Sequence, residues 1–133
     1  MAGEKTMIVA GIGCKRGTLS EDIVSLILAV LATSGIAREN LDAIATEASK
    51  ADECGIANAA QSLSVPLVRC SLADLDRASD KVVTRSSRVQ ALKGVPSIAE
   101  ASALVAAGPS ARLLGARVAA DNVTCAIAIS EGS

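Results

Sequence analysis

The stretch Met7-Ile8-Val9-Ala10-Gly11-Ile12-Gly13-Cys14-Lys15-Arg16-Gly17-Thr18-Leu19-Ser20-Glu21 constrains the fold more than any other part of the chain. Met7 to Gly13 is a short apolar run bounded by glycines, the pattern of a strand buried on both faces of a parallel sheet. A tight basic turn follows and leads into a helix. Thr18-x-x-Glu21 reads as a capping box, in which hydroxyl and carboxylate satisfy orphan N–H groups reciprocally. The helix is expected from about Ser20 to Thr33. Its apolar residues Ile23, Val24, Leu26, Ile27, Leu28, Val30 and Leu31 cover more of the circumference than one sheet face requires, so a second subunit could cover the excess.

The strand-then-helix pattern repeats. Gly35 closes the first helix, Leu41 to Thr46 reads as a second strand, and Glu47 to Gly55 is a charged loop. Asp52 is a candidate N-cap for a helix through Ile56, Ala57, Ala60 and Leu63, and Pro66 to Cys70 is a third strand. Between Ser71 and Lys93, Leu72, Leu75, Val82, Val83, Val89 and Leu92 suggest one or two short helices. Ser97-x-x-Glu100 is a second capping box, opening a helix to about Ala107 that Gly108-Pro109 stops. Ala111 to Ala120, a turn at Asp121-Asn122, and Val123 to Ser130 read as a hairpin. The prediction is a single α/β domain over residues 1–133: three layers, a mainly parallel sheet with helices on both faces, and a C-terminal antiparallel β-hairpin. In such a sheet the loops that follow strands gather at one edge, so Gly11 to Thr18 and Glu47 to Gly55 should be neighbours.

Composition narrows the chemistry. Half of the chain is apolar, yet it contains no Phe, Tyr, Trp or His. The core must be built from Ala, Val, Leu and Ile, and Ser-His catalysis, haem-type His ligation and His-containing zinc sites are excluded. Aromatic stacking platforms for single-stranded nucleic acid are excluded as well. Thirteen basic against fourteen acidic side chains give a net charge of −1, which argues against nucleic acid or a membrane surface as partner. The most hydrophobic run, Ile23 to Ala32, is too short to span a bilayer, and no signal peptide is recognisable. Cys14, Cys54, Cys70 and Cys125 form no CxxC pair, so no metal and no cofactor are expected and a reducing cytoplasm fits best.

Within these limits the glycine-rich stretch reads as an anion site. Gly11, Gly13 and Gly17 would let backbone N–H groups approach a ligand, and consecutive Lys15 and Arg16 at a helix N-terminus are unfavourable unless something anionic sits there. The spacing Gly11-x-Gly13-x-x-x-Gly17 is one residue too long for the dinucleotide fingerprint, and no Walker lysine pattern exists. Cys14 lies beside two cations just before a helix, conditions that lower a thiol pKa; it is otherwise a small turn residue, and Cys54, Cys70 and Cys125 read as core. Glu47, Lys50, Asp52 and Glu53 are either an acid/base cluster past a strand end or a solvated loop with one N-cap. Ser97 and Glu100 present a second helix N-terminus that a multiply anionic ligand could share.

Gly11-Ile12-Gly13-Cys14-Lys15-Arg16-Gly17-Thr18, Lys50-Ala51-Asp52-Glu53-Cys54-Gly55-Ile56, Gly94-Val95-Pro96-Ser97-Ile98-Ala99-Glu100-Ala101 and Asn122-Val123-Thr124-Cys125-Ala126-Ile127-Ala128 together resemble the CobE/CbiG C-terminal domain family of cobalamin biosynthesis, in the right order over nearly the whole chain. With no extension ahead of the first strand, the likeness is nearer to the stand-alone CobE form. The resemblance implies a polycarboxylate corrin or precorrin ligand held by Gly11, Gly13, Cys14, Lys15, Arg16, Gly17, Thr18, Ser97, Glu100 and Thr124, with other cobalamin-pathway enzymes as partners. The CbiG side of the family implies an alternative: a cobalt-precorrin-5A hydrolase that opens a ring-A lactone. Asp52 or Glu53 would then activate water while Lys50 or loop N–H groups steady the oxyanion. Two departures stand out. Glu47 occupies a position where an apolar residue is expected, and Arg69-Cys70-Ser71 lacks an aromatic, so contacts to a macrocycle face would have to be aliphatic.

Overall fold

The chain order strand–helix–strand–helix–strand builds one edge of the sheet directly. In the computed structural model, which describes residues 6–51, 55–78, 98–108, 110–115, 117–120 and 122–131, β1 is Thr6–Cys14, α1 Ser20–Thr33, β2 Ala43–Glu47, α2 Ile56–Ser62 and β3 Leu67–Cys70. α3 (Leu72–Arg77), α4 (Ile98–Ala107), β4 (Arg112–Leu113), β5 (Val118–Ala119) and β6 (Val123–Glu131) follow. The strands form a six-stranded sheet in the order β3-β2-β1-β6-β4, with β5 also paired to β6. β1, β2 and β3 pair in parallel, whereas β6 runs antiparallel to β1, β4 and β5. Hence every strand but β6 points the same way.

Crossover handedness distributes the helices. Stepping from β1 to β2 to β3 in one direction places α1 and α2 on one face, and the return to the opposite edge through α3 and α4 covers the other. Side-chain alternation agrees. Ile8, Ala10, Ile12, Ile44, Val123, Cys125 and Ile127 pack with Ile23, Ile27, Val30 and Leu31 of α1 and Ile56, Ala59 and Ala60 of α2. Val9, Ala43, Ala45 and Ala128 pack on the opposite side with Leu75 of α3 and Ala101, Ala103, Leu104 and Ala107 of α4. This is the three-layer arrangement expected from the sequence, with helices on both faces.

Small residues set the spacing of the second layer. α4 is rich in alanine and lies over the alanines and Gly11 of the sheet. A Cβ built on Gly11 would collide with the Ala99 carbonyl and come within 2.8 Å of the Ala103 Cβ. Gly11 and Gly13 are thus strand residues, and the expected glycine loop is shorter than the sequence suggested. Only Gly17, with φ of +83°, needs glycine for its backbone conformation in that turn.

Three local expectations are corrected. α1 does begin at Ser20 and end at Thr33, but Leu19 is its N-cap and no side chain caps it. The Thr18 hydroxyl instead donates to the Lys15 carbonyl at 2.7 Å, with the Asn122 carbonyl as second acceptor at 3.2 Å, so the Thr18–Glu21 capping box does not form. β2 starts at Ala43 because the Asp42 carboxylate, at 2.8 Å from the Ile8 N–H, replaces the ladder bond there. The first arm of the terminal hairpin is divided into β4 and β5. Between them the Arg117 N–H turns away from β6 and donates to Glu100 Oε2 at 2.7 Å. The expected short helices after Ser71 are represented by α3, capped by the Ser71 hydroxyl, which accepts from the Asp74 N–H at 3.1 Å. Residues 79–97 lie outside the described residues.

Candidate ligand-binding site

Antiparallel pairing brings the end of β1 beside the start of β6, opposing Gly13 to Thr124 and Cys14 to Val123. The basic turn is tied down there: the Lys15 N–H donates to the Asn122 carbonyl at 2.9 Å, and the Thr18 N–H to the Lys15 carbonyl at 3.1 Å. A shallow cavity of about 210 Å³ opens at this junction, lined by Gly13, Cys14, Lys15, Ala120, Asn122, Val123 and Thr124. The sequence-predicted residues Gly13, Cys14, Lys15 and Thr124 are therefore brought together. Lys15, Arg16 and Gly17 are exposed, and Lys15 lines the cavity. Thr124 fits only because position 13 is glycine: a Cβ there would stand 2.8 Å from Thr124 Oγ1, which donates to the Gly13 carbonyl at 3.3 Å.

Other predicted residues have different surroundings. Gly11 lies buried beneath α4, and Thr18 is buried with its hydroxyl turned to the Lys15 and Asn122 carbonyls. Gly11 makes room for α4, and Thr18 braces the turn. Glu100 is fully buried, and its carboxylate accepts from the Arg117 N–H at 2.7 Å. Lys50 ends a 3-10 turn, Ala48–Lys50. Asp52, Glu53, Cys54 and Ser97 lie outside the described residues. Glu47, the departure in the charged loop, is buried at the end of β2, where its carboxylate accepts from the Ser49 N–H at 2.9 Å and from the Ser49 hydroxyl. It caps the 3-10 turn.

The expected neighbourhood of the two strand-end loops is real. The Gly55 N–H donates to the Thr18 carbonyl at 2.7 Å, and a side chain at Gly55 would meet the Ser20 backbone. Loop and helix start are thus closed against each other.

The cysteines divide into two kinds. Cys14 is disulfide-bonded, with its partner outside the described residues, so its sulfur is no thiolate nucleophile. Cys70 and Cys125 are free and buried, as a core role requires. Burial, and secondarily the Asp74 carboxylate, pushes the Cys70 thiol up to about 11; burial alone pushes Cys125 to about 12. Neither ionises near neutrality.

The family model described as "Cobalamin synthesis G C-terminus" matches residues 8–128. The chain belongs to this family. Protein CobE of Sinorhizobium sp is 33% identical over 121 residues, which span 91% of this chain and 79% of that protein. The crystal structure of CobE, a protein from the cobalamin (vitamin B12) biosynthetic pathway, superposes with a TM-score of 0.89 at 32% identity, covering 96% of this chain and 93% of that one. Cobalamin biosynthesis protein chiG from Agrobacterium tumefaciens matches with a TM-score of 0.75 at 38% identity over 93% of this chain and 98% of its own. The CobE/CbiG resemblance read from the four motifs is thereby established.

Sequence reasoning missed Ala120, Asn122 and Val123 as cavity walls. A turn was expected there, but the position of Asn122 opposite Lys15 depends on a strand register spanning the whole chain. Among the described residues no helix is long and apolar enough to cross a membrane.

Proposed function

We propose that this protein serves cobalamin biosynthesis by binding a polycarboxylate corrin intermediate at the junction of β1 and β6 and handing it on. The observation that carries this reading is the exposed Lys15 ammonium beside a cavity whose other walls are backbone and small side chains, in a chain of the cobalamin synthesis G C-terminal family. Lys15 supplies charge for an acetate or propionate arm, and the small walls let the arm reach the loop backbone. A charged hydrogen bond of this kind is worth roughly 1.5–3 kcal/mol.

With no Phe, Tyr or Trp in the chain, a corrin is the dominant near-ultraviolet and visible chromophore in any mixture. Titrating dicyanocobyrinic acid, a corrin whose arms end in carboxylates, should perturb its spectrum and make it co-elute with the protein on gel filtration. Lys15→Ala should weaken binding by about tenfold to a hundredfold. An unperturbed spectrum without co-elution, or an unchanged affinity in Lys15→Ala, would overturn the reading. Mass spectrometry of the recovered corrin tests the carrier role: an unaltered mass is expected, and an altered one would point to catalysis.

A further inference from the structure

The cavity beside Lys15 is one end of a longer depression. Ala120, Asn122 and Val123 also wall a second cavity of about 390 Å³, whose other side is Asp22, Ser25, Leu26 and Ala29 of α1. Ala29 is shared in turn with a third of about 430 Å³, between Val30, Thr33 and Ser34 of α1 and Leu114, Gly115, Val118 and Ile127 of the sheet edge. Shared wall residues thus set the three in series, from the Lys15 turn along α1 to the edge formed by Leu114 and Val118, and they are treated as one groove. Along α1 from Asp22 to Thr33 it runs about 16 Å at 1.5 Å per residue.

Its chemistry changes along its length. The Lys15 end is cationic and backbone-lined. The far wall is mainly aliphatic, with Leu114 and Val118 among the few large apolar side chains of the described residues that stay exposed, whereas the middle sets Asp22, Ser25 and Asn122 beside Leu26, Ala29, Ala120 and Val123. Alanine and glycine at 29, 115 and 120 keep the walls from closing on each other. The polar groups sit on the rim: Ser25 and Asp22 in the early turns of α1, Ser34 at its end, and Thr33, whose hydroxyl donates to the Ala29 carbonyl at 2.9 Å. Asp22 places a carboxylate beside the middle cavity, so anionic arms are favoured only toward Lys15. A site that is cationic at one end and mainly aliphatic at the other matches an amphiphile with a flat apolar face and carboxylate arms around its edge, those away from Lys15 lying in solvent. Its two larger cavities fall in the size range of small-molecule sites.

We propose that this groove holds the apolar face of the tetrapyrrole ring, with α1 on one side and Leu114, Val118 and Ile127 on the other, while the carboxylate arms at one edge reach Lys15. The proposal rests on the corrin-binding reading and adds to it where the ring lies. It also gives the divided hairpin arm a function, since Leu114, Gly115 and Val118 line the far cavity.

The test places a charge in the groove without touching the core. Ala29 is exposed on α1 and Ala32, on the same helix, is exposed outside the groove. A metal-free corrin with the same carboxylate arms and no axial ligands is titrated into the wild-type protein and into Ala29→Glu and Ala32→Glu, with far-ultraviolet circular dichroism confirming folding. Wild type and Ala32→Glu should bind alike, and Ala29→Glu at least tenfold more weakly. Ala29→Glu binding like wild type would overturn the groove while leaving corrin binding standing. A wild-type protein that binds no corrin would overturn both. If Ala29→Glu instead converts a dimer to a monomer on gel filtration with its affinity intact, the groove is a subunit seam and the proposal falls.

Discussion

Glycine has two distinct uses within one short stretch of this chain. At Gly17 the backbone requires a positive φ, and open space surrounds the missing side chain. At Gly11 the backbone is ordinary strand, and the missing Cβ is the room α4 needs. Gly11→Ala drives a methyl group into the Ala99 carbonyl and the Ala103 backbone, neither of which can rotate away. It should cost upwards of about 2 kcal/mol, measured by urea unfolding followed by circular dichroism, because no aromatic fluorophore is present. A loss below about 0.5 kcal/mol would mean that α4 can lift off the sheet. The sequence shows a glycine in either case. It cannot show the difference, because the colliding atoms are about ninety residues further along. The bond from the Arg117 N–H to Glu100 is beyond a local reading for the same reason, since the two residues are 17 positions apart.

Among the elements, α1 was legible to the residue, since a 14-residue helix with apolar positions on a 3.6-residue period carries its own boundaries. Its cap was not. Thr18 has the right chemistry for an N-cap, but its hydroxyl is engaged by two carbonyls and the helix starts from Leu19, which is 59% exposed. That leaves the cap position occupied by a side chain that caps nothing. Leu19→Asp supplies an acceptor for the first-turn N–H groups and should raise stability by about 1 kcal/mol. The same substitution sets a carboxylate beside Lys15 and Arg16, so dicyanocobyrinic acid should bind it more weakly. A more stable variant with undiminished affinity would show that the basic turn is not where the arms lie. The hairpin arm failed as a single strand because what divides it, a carboxylate in α4, is outside any window that reads period-two alternation.

For the molecule as a whole, the α/β class with helices on both faces could be anticipated, as could a core without aromatic rings, whereas the place of β6 beside β1 could not. The two buried thiols give that core a pH signature. Their ordinary value is 9.0, while in the folded protein Cys70 sits at about 11 and Cys125 at about 12. The raised values mean that the stability the neutral thiols contribute is complete below pH 9. It is lost as pH rises from 9 toward those folded values, because the unfolded chain ionises first. Thermal melts should therefore be insensitive to these groups up to about pH 9 and fall above it. The Cys70→Ala, Cys125→Ala double variant should decline less steeply over the same range. Parallel declines would remove the thiols as the cause.

The position of β6 carries a consequence for how the chain comes into being. It pairs with β1 along nine residues, from Thr6 opposite Glu131 to Cys14 opposite Val123, and it also holds β4 and β5. A nascent chain emerging from the ribosome can assemble β1, β2 and β3 early, but the flank of β1 that β6 fills stays bare until residues 123–131 have cleared the exit tunnel. The backbone donors and acceptors on that flank are then an open template for strands of other chains. Vectorial synthesis thus leaves the middle of this sheet, rather than its rim, as the last part to close.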